Sequence, residues 1–331
     1  MPADPRFTIR GFRNGDEAAI LDLFARSFPH APRSLERWQW EYQRSPFGNE
    51  RISLGIDADD RLVAHYAGYP VFFRDDDRDR LAHQIGDTMT DPAVRHVGRG
   101  PTSLLGRTAL HFYETFCEAK ASFNFGFNVA NIQKFSIRFL RAHAVEPVTY
   151  RVRDAQSLRP IARVERWMRG YRLERVTSTS PEWDALFARV AQHYGFLIRR
   201  DAAYVRWRYL ECPESSYVVI AIRKWHTLVG WIVYRIRDDR FTIGDALFDL
   251  EFPDAFDVLL RHVVPPHRVA TIEGWFPPRP LWFDRILNEL GFVTRPEPQD
   301  LSLMCVPFAQ TDAVAHIREG LYYTAGDGDL F

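Results

Sequence analysis

Apolar residues recur at helical and strand spacings along most of the chain. Leu21, Phe24 and Phe28 lie three and four residues apart, which predicts one apolar face of an amphipathic helix. The segment "VAHYAGYPVFF", residues 63–73, alternates and then runs apolar, as a half-buried or central strand does. Because predicted helices and strands alternate in this way, we expect an α/β fold with a mixed sheet.

The same order of segments occurs twice. "SLERWQWEYQRSP" in the first half is echoed by "RDAAYVRWRYLECP" in the second, and each is followed by strands, a helix, a strand and a helix. The matched positions, related by one constant offset, are Trp40 with Trp207, Tyr42 with Tyr209, and Pro46 with Pro213. A repeat of this length predicts two copies of one domain rather than a solenoid.

We therefore predict two domains, residues 1–153 and 170–308, and a C-terminal tail of residues 309–331. The tail contains Tyr322, Tyr323 and Phe331, which is an apolar content unusual for a frayed end. We expect it to dock on the domains.

Charge and composition exclude several classes of partner. The chain has 43 basic and 43 acidic residues, so no overall field attracts it to nucleic acid or to an anionic membrane. Its three cysteines are far apart and no histidine motif for a metal occurs, which argues against a metal site. No segment has 18 uninterrupted apolar residues. We expect a cytoplasmic protein without metal, nucleic acid or membrane partners, and a homodimer stays an open alternative.

A glycine-containing loop joins a predicted strand to a predicted helix. "HQIGDTMTDP" predicts a strand ended by Asp91-Pro92, and "PTSLLGRTALHFYE" predicts a helix. Between them lies "VRHVGRG", in which Gly98 and Gly100 would let main-chain amides turn outward. Amides at the start of a helix, with Arg95 and Arg99 nearby, form a site for phosphate. The alternative is a plain turn whose glycines serve chain geometry alone.

Arg95, Gly98 and Gly100 match the R/Q-x-x-G-x-G/A signature of the GNAT superfamily of acyl-coenzyme A-dependent N-acetyltransferases. The phrases "IRGFRNGDEAAILDLF" and "GDTMTDPAVRHVGRG" also resemble tandem-domain members of that superfamily. The resemblance covers residues 6 to about 150 and extends over residues 171–306 only in degenerate form. It implies two tandem GNAT-like domains, of which the second is degenerate.

The resemblance implies acetyl-CoA, or another acyl-CoA, as co-substrate. Amides around Val97 to Gly100 and the start of the helix would hold its pyrophosphate, and splayed strands would accept the pantetheine arm. The implied cofactor-binding residues are Met89, Arg95, Val97, Gly98, Arg99, Gly100, Asn128 and Asn131. In the second copy the corresponding loop, "DLEFPDAFDVLL", lacks the glycines and is acidic, so we expect only the first domain to bind coenzyme A.

Acyl transfer to an amine requires a base, because the attacking amine must be neutral. Asp87, on the strand before the loop, is the first candidate, and pairing with an arginine such as Arg95 is the structural alternative. His83 is a second candidate. Family members often supply the acid from a tyrosine at the position of Phe135, so the acid stays unassigned.

The chain also resembles acetyltransferases of the enhanced intracellular survival type in its tandem domains and terminal phenylalanine. That resemblance implies that the α-carboxylate of Phe331 acts as a base, and simple packing of the tail is the alternative. The expected function is direct transfer of an acetyl or short acyl group to a primary amine of a small molecule. The alternative is a non-catalytic binding protein or an aminoacyl transferase related to enzymes that build peptidoglycan.

Overall fold

The computed structural model describes residues 6–213, 216–308, 313–328 and 331, without the side chains of Ala130, Asn131 and Ala313. The strands are β1 (Phe7–Gly11), β2 (Ile52–Asp57), β3 (Leu62–Asp75), β4 (Arg78–Thr90), β5 (Phe123–Asn128), β6 (His143–Pro147), β7 (Tyr150–Asp154), β8 (Tyr171–Arg175), β9 (Phe196–Ile198), β10 (Val218–Lys224), β11 (Thr227–Arg237), β12 (Arg240–Phe248), β13 (Thr271–Trp275), β14 (Val293–Arg295), β15 (Ser302–Pro307) and β16 (Leu321–Tyr322). The helices are α1 (Glu17–Ser27), α2 (Leu35–Tyr42), α3 (Leu104–Phe112), α4 (Ala130–Phe139), α5 (Arg163–Met168), α6 (Pro181–Tyr194), α7 (Ala202–Val205), α8 (Ala255–Val263), α9 (Leu281–Glu289) and α10 (Ala313–Gly320).

The chain forms two compact units. Unit 1 contains residues 1–72, 80–147 and 300–318, and unit 2 contains residues 73–79, 148–299 and 319–331. Each unit has a mixed sheet flanked by helices, which confirms the predicted α/β fold class.

In unit 1 the strand order is β1-β2-β3-β4-β5-β15-β6, and β4 with β5 is a parallel pair. Side chains of α1 and α2, including Leu23 and Trp38, pack on one face together with Leu54 and Met89. Phe112 of α3 packs on the other face. Both faces of the sheet are therefore covered, which explains why "VAHYAGYPVFF" is apolar on both sides.

In unit 2 the strand order is β14-β7-β13-β12-β11-β10-β8, with β12 and β13 parallel. The end of β3, Phe73–Asp75, pairs with β9, which pairs with β16. Apart from these short additions, the two sheets have the same sequence of parallel and antiparallel neighbours. Residues 302–307, inside the range predicted for the second domain, form β15 in the sheet of unit 1. Residues 150–154, inside the range predicted for the first domain, form β7 in unit 2.

An ion pair at the end of a sheet strand has the same geometry in both units. In unit 1, Arg26 Nε donates to the Asp91 carboxylate at 2.8 Å, and its Nη2 donates to a leucine carbonyl at the start of β3. In unit 2, Arg189 donates to Asp249 at 2.7 Å and to a leucine carbonyl at the start of β11. The two units thus have equivalent side-chain interactions as well as the same strand order.

Candidate active site

The loop between β4 and α3 depends on its glycines. Gly98 has φ +74° and Gly100 has φ +56°, a region that side chains with a Cβ rarely adopt. A Cβ on Gly98 would lie 2.5 Å from the carbonyl oxygen of Thr102, and one on Gly100 would lie 2.7 Å from the ring of Phe139 in α4. Glycine is therefore required at positions 98 and 100 for the main chain to adopt this conformation.

The loop ends directly at the start of α3. Ser103 caps this helix by accepting a hydrogen bond from the amide of Gly106 at 3.1 Å. The amide of Val97 donates to the carbonyl of Val94 at 3.0 Å, and the side chain of Val97 packs against a small apolar cluster. The amides at positions 98, 99 and 100 make no main-chain hydrogen bond within the described part of the chain. An anion could therefore accept hydrogen bonds from these three amides.

The two loop arginines lie at the surface. Arg95 Nε donates to the carbonyl of Thr90 at 2.9 Å, which fixes the side chain along the end of β4. Arg99 is exposed, and its carbonyl accepts hydrogen bonds from Thr102. Both arginines thus add positive charge beside the loop.

The strands that carry the other predicted cofactor residues pair only in part. β4 and β5 pair from Ala82 to Gln84 and from Phe123 to Phe125, whereas β4 continues to Thr90 and β5 to Asn128. Within β4, Asp87 has φ +48°, which departs from extended geometry and marks a bulge. The pairing of β4 with β5 thus ends at Gln84 and Phe125, before either strand ends.

The structure places the remaining cofactor candidates as follows. Met89 is buried in the core under α1 and α2, so its side chain is not available to a ligand. Asn128 is half-buried at the end of β5, and its carbonyl accepts a hydrogen bond from Gln133 at 2.6 Å. Asn131 lies in α4, and its side chain is outside the described residues. Phe135 packs against Phe139 and the core below α3.

Asp87 lies in a buried polar cluster with residues that precede and form α2. Arg33 Nη1 contacts the Asp87 carboxylate and also donates to Glu41 Oε2 at 2.6 Å. The Tyr42 hydroxyl donates to the same Asp87 oxygen at 3.0 Å. The side chains of Arg33, Glu41 and Asp87 are 13%, 4% and 7% exposed. The arginine partner of Asp87 is thus Arg33, whereas Arg95, the partner considered from the sequence, bonds Thr90.

Two buried side chains near this cluster have polar atoms without a protein partner. His65 Nδ1 donates to the main-chain oxygen of Asp87 at 2.7 Å, and burial lowers its pKa to about 4. Its Nε2 and both amide atoms of Gln84, three residues before Asp87, have no hydrogen bond within the described part of the chain. Unsatisfied buried polar atoms are rare in folded proteins and indicate a missing water or ligand.

His83, the second base candidate, lies on the opposite face of the sheet. Its ring packs against Phe112 of α3, and Nδ1 lies 3.1 Å from Oδ1 of Asn124. Burial lowers its pKa to about 4. The side chain is fully buried, so the structure favours a core role for His83.

Unit 2 repeats the Asp87 cluster. Arg200 Nε donates to Asp245 Oδ1 at 2.9 Å, and the Tyr209 hydroxyl donates to Asp245 Oδ2 at 2.6 Å. Arg33 and Tyr42 correspond to Arg200 and Tyr209 by the offset of the sequence repeat. The aspartates belong to a second repeat, "IGDTMTD" in β4 and "IGDALFD" in β12. Sequence reasoning missed this second repeat, although comparing the two halves would have revealed it.

The tail fills the cluster of unit 2. Arg200 Nη2 donates to Asp327 Oδ2 at 2.6 Å, and all atoms of Arg200 are buried. Arg208 donates to the carbonyls of Gly326 at 3.1 Å and Gly328 at 2.8 Å. Thr324 donates to Asp245 at 3.0 Å. Burial raises the pKa of Asp327 to about 6, against the opposite effect of Arg200.

Phe331 is buried within unit 2. Its ring stacks on Tyr217 with centroids 4.9 Å apart and lies on Gly244, where a Cβ would overlap it. The guanidinium of Arg235 covers the ring, and the Tyr217 hydroxyl donates to the terminal oxygen. A cavity of about 150 Å³ adjoins it and is lined in part by Tyr150, Arg235, Arg240, Thr242, Glu273, Trp275 and Phe331. These contacts fix the ring and terminal oxygen in unit 2 and leave the predicted base role untested.

The loop of unit 2 that corresponds to the glycine loop is shorter. Only residues 249–254 separate β12 from α8, whereas residues 91–103 separate β4 from α3. Glu251 in the short loop donates its amide to Asp249 Oδ1 at 3.0 Å. Asp91 of unit 1 accepts from the amide of Ala93 at 2.9 Å in the same way, so the two loops differ in their length and in the glycines that only the loop of unit 1 contains.

Within the described residues, no group of three or more histidine, cysteine, aspartate or glutamate side chains could hold a metal ion. In the same part of the chain, no helix is long and apolar enough to cross a membrane.

Known proteins resemble the chain in family and fold. Residues 8–136 match the model of the acetyltransferase (GNAT) domain. A structure from Enterococcus faecalis V583, described as a probable N-acyltransferase, has a TM-score of 0.69 at 13% identity and covers 92% of this chain and 74% of its own. A GCN5-related N-acetyltransferase from Anabaena variabilis has a TM-score of 0.67 at 13% identity, covering 91% and 72%.

More distant folds extend this similarity. Saccharomyces cerevisiae N-myristoyltransferase, solved with myristoyl-CoA, has a TM-score of 0.58 at 9% identity, covering 93% of this chain and 80% of its own. No curated protein sequence matches the chain significantly.

Proposed function

Because residues 8–136 match the acetyltransferase (GNAT) domain model, we propose that the chain transfers an acetyl or short acyl group from coenzyme A directly to a primary amine of a small molecule. One observation carries this proposal: the amides at positions 98–100 make no main-chain hydrogen bond within the described part of the chain, in a loop that leads into α3 and whose glycines admit no Cβ. Such a cradle fits the pyrophosphate of an acyl-CoA. The loop of unit 2 lacks it, so we assign acyl-CoA binding to unit 1.

The residues of unit 1 suggest how transfer would proceed. The amides of Gly98, Arg99 and Gly100 would hold the pyrophosphate, with Arg95 and Arg99 adding positive charge. The segments of β4 and β5 that follow their paired residues, including the main chain of Met89 and Asn128, would bind the pantetheine arm. Asp87, at the bulge of β4, would remove the proton from the acceptor ammonium so that the neutral amine attacks the thioester carbonyl.

The donor of a proton to the departing thiolate stays unassigned. Phe135 stands at the position where family members often have a tyrosine, and it has no hydroxyl. Within unit 1, Tyr42 contacts Asp87, but its hydroxyl already donates to that carboxylate. Direct protonation of the thiolate by water would also complete the reaction.

The test combines binding with chemistry. Acetyl-CoA should raise the melting temperature of the protein, because a ligand that binds only the folded state stabilises it. Incubation with acetyl-CoA and a panel of primary amines should release free coenzyme A thiol and give the N-acetyl product by mass spectrometry. Binding without product for any amine would favour a non-catalytic protein, and the absence of binding would reject the proposal.

A further inference from the structure

The tail of unit 2 contacts residues whose counterparts in unit 1 surround Asp87. Tail atoms bond Arg200, Arg208 and Asp245, and Phe331 lies on Gly244. The corresponding residues of unit 1, by the two sequence repeats, are Arg33, Glu41, Asp87 and Gly86. The tail in unit 2 therefore indicates the equivalent position in unit 1, beside Asp87, that a ligand would occupy.

One of these positions has opposite charge in the two units. Arg208 of unit 2 corresponds to Glu41 of unit 1. Without the tail, the unit 2 cluster of Arg200, Arg208 and Asp245 has a formal charge of +1, and it takes a carboxylate and two carbonyl oxygens from the tail. The unit 1 cluster of Arg33, Glu41 and Asp87 has a formal charge of −1. Electrostatic complementarity therefore favours a cation there.

Arg33 shows where that cation would bind. A single nitrogen, Nη1, contacts the carboxylates of both Glu41 and Asp87. A nitrogen cation held between two carboxylates is the arrangement that binds an alkylammonium group. Buried polar atoms without a partner add to this: the amide of Gln84 on β4, three residues before Asp87, and Nε2 of His65 on β3.

We propose that Glu41 and Asp87 form the ammonium subsite of the acceptor amine, and that Arg33 holds the two carboxylates until a cationic amine replaces its guanidinium between them. The acceptor is accordingly an aliphatic amine that is protonated in solution. Glu41 determines this specificity, since Asp87 alone would still act as base. The inference rests on the proposed function, because it names the acceptor class of that site.

The experiment measures binding of n-butylammonium to the full chain by calorimetry, without acyl-CoA, with 1-butanol as the uncharged control ligand. Wild type should bind the ammonium and not the alcohol. Glu41→Gln should weaken binding at least tenfold, and Arg33→Met should strengthen it at least tenfold because the internal competitor is removed. Glu165→Gln, a surface carboxylate of α5 paired with Arg261, serves as the matched control and should bind like wild type.

Arg33→Met leaves two buried carboxylates without their partner, so its folding must be checked by thermal melting. If it does not fold, Glu41→Gln decides the matter alone. If Glu41→Gln binds the ammonium as tightly as wild type, the proposed subsite is wrong. Arg33, Glu41 and Asp87 would then form a structural ion-pair cluster only. Stronger binding of the alcohol than of the ammonium would do the same.

Acyl transfer separates this inference from the proposed function. With a reactive alkylamine, Glu41→Gln should raise KM at least tenfold and change kcat much less, since it removes binding that the ground state and the transition state share. An unchanged KM with efficient transfer would refute the subsite and leave the transferase intact. Ammonium binding without any transfer would support the subsite and refute the transferase.

Discussion

The guanidinium of Arg33 contacts the carboxylate of Asp87, although 54 residues separate them in the chain. The contact brings the segment before α2 onto the bulge of β4. Unit 2 makes the same contact between Arg200 and Asp245, with a tail carboxylate as the second partner of the arginine. One sheet position thus supports a candidate acceptor site in unit 1 and an anchor for the tail in unit 2.

Replacing Gly98 with valine should weaken coenzyme A binding by at least tenfold. A Cβ there meets the main chain at Thr102 and Ser103, and φ +74° is strained for valine. The loop must shift, and this moves the amides that would hold the pyrophosphate. Calorimetric titration measures the affinity. Gly15→Val is the control, because Gly15 has φ +102° but no atom within 4 Å; equal loss in both variants would contradict the cradle.

Asp87→Asn should reduce kcat about 100-fold, the scale of removing a general base, while coenzyme A affinity stays near the wild-type value. The amide keeps the shape of the side chain and can still accept from Tyr42, so the variant should fold. Steady-state kinetics with a reactive amine and a parallel titration of coenzyme A measure both quantities. Wild-type turnover would show that the contact with Arg33 is the whole role of Asp87.

Adding two glycines after Phe331 tests the predicted role of the terminal carboxylate. The extension moves the α-carboxylate while the Phe331 ring can keep its contact with Tyr217. If the carboxylate is the base, turnover should fall about 100-fold with unchanged melting temperature and coenzyme A affinity. Turnover equal to that of the unextended chain would leave Phe331 with packing alone.

Gly244→Ala should loosen the tail. The new Cβ would overlap the ring of Phe331, and overpacking of this kind costs about 1–3 kcal/mol. The free energy of unfolding should fall by that amount, and limited proteolysis should cut the tail sooner than in wild type. Gly11→Ala is the control, because the nearest atom to its Cβ position, the carbonyl oxygen of Ile52, lies 4.0 Å away. Cleavage of the tail at the wild-type rate in Gly244→Ala would contradict the packing of Phe331 on Gly244.

His83 should make the protein sensitive to mild acid. Its pKa in the folded state is lowered to about 4 by burial, whereas an unfolded histidine titrates near 6.5. Between these values only the unfolded state binds the proton, so stability falls as the pH drops from about 6.5 towards 4. His83→Gln should remove about 2–3 kcal/mol of this loss between pH 6.5 and 4.5. Urea unfolding across that range measures it; an unchanged slope would contradict a neutral buried histidine.

Local pattern determined the elements around the candidate site. Asp91-Pro92 ends β4, Gly98 and Gly100 adopt positive φ, and a helix follows, as the sequence predicts. The composition and the paired motif around Trp40 and Trp207 were sufficient to predict an α/β fold with a repeat. These features depend on a few neighbouring residues, whose spacing and backbone preference are written in the chain itself.

Only the tertiary structure decided which distant segments meet. Nothing in the periodicity of β15 places it between β5 and β6, because a strand pattern specifies which faces are buried and not which neighbour it joins. For the same reason the sequence suggested Arg95 as a partner of Asp87, whereas the fold supplies Arg33. Long-range ion pairs depend on how sheet and helices pack, and that information resides in the sum of many contacts rather than in any one motif.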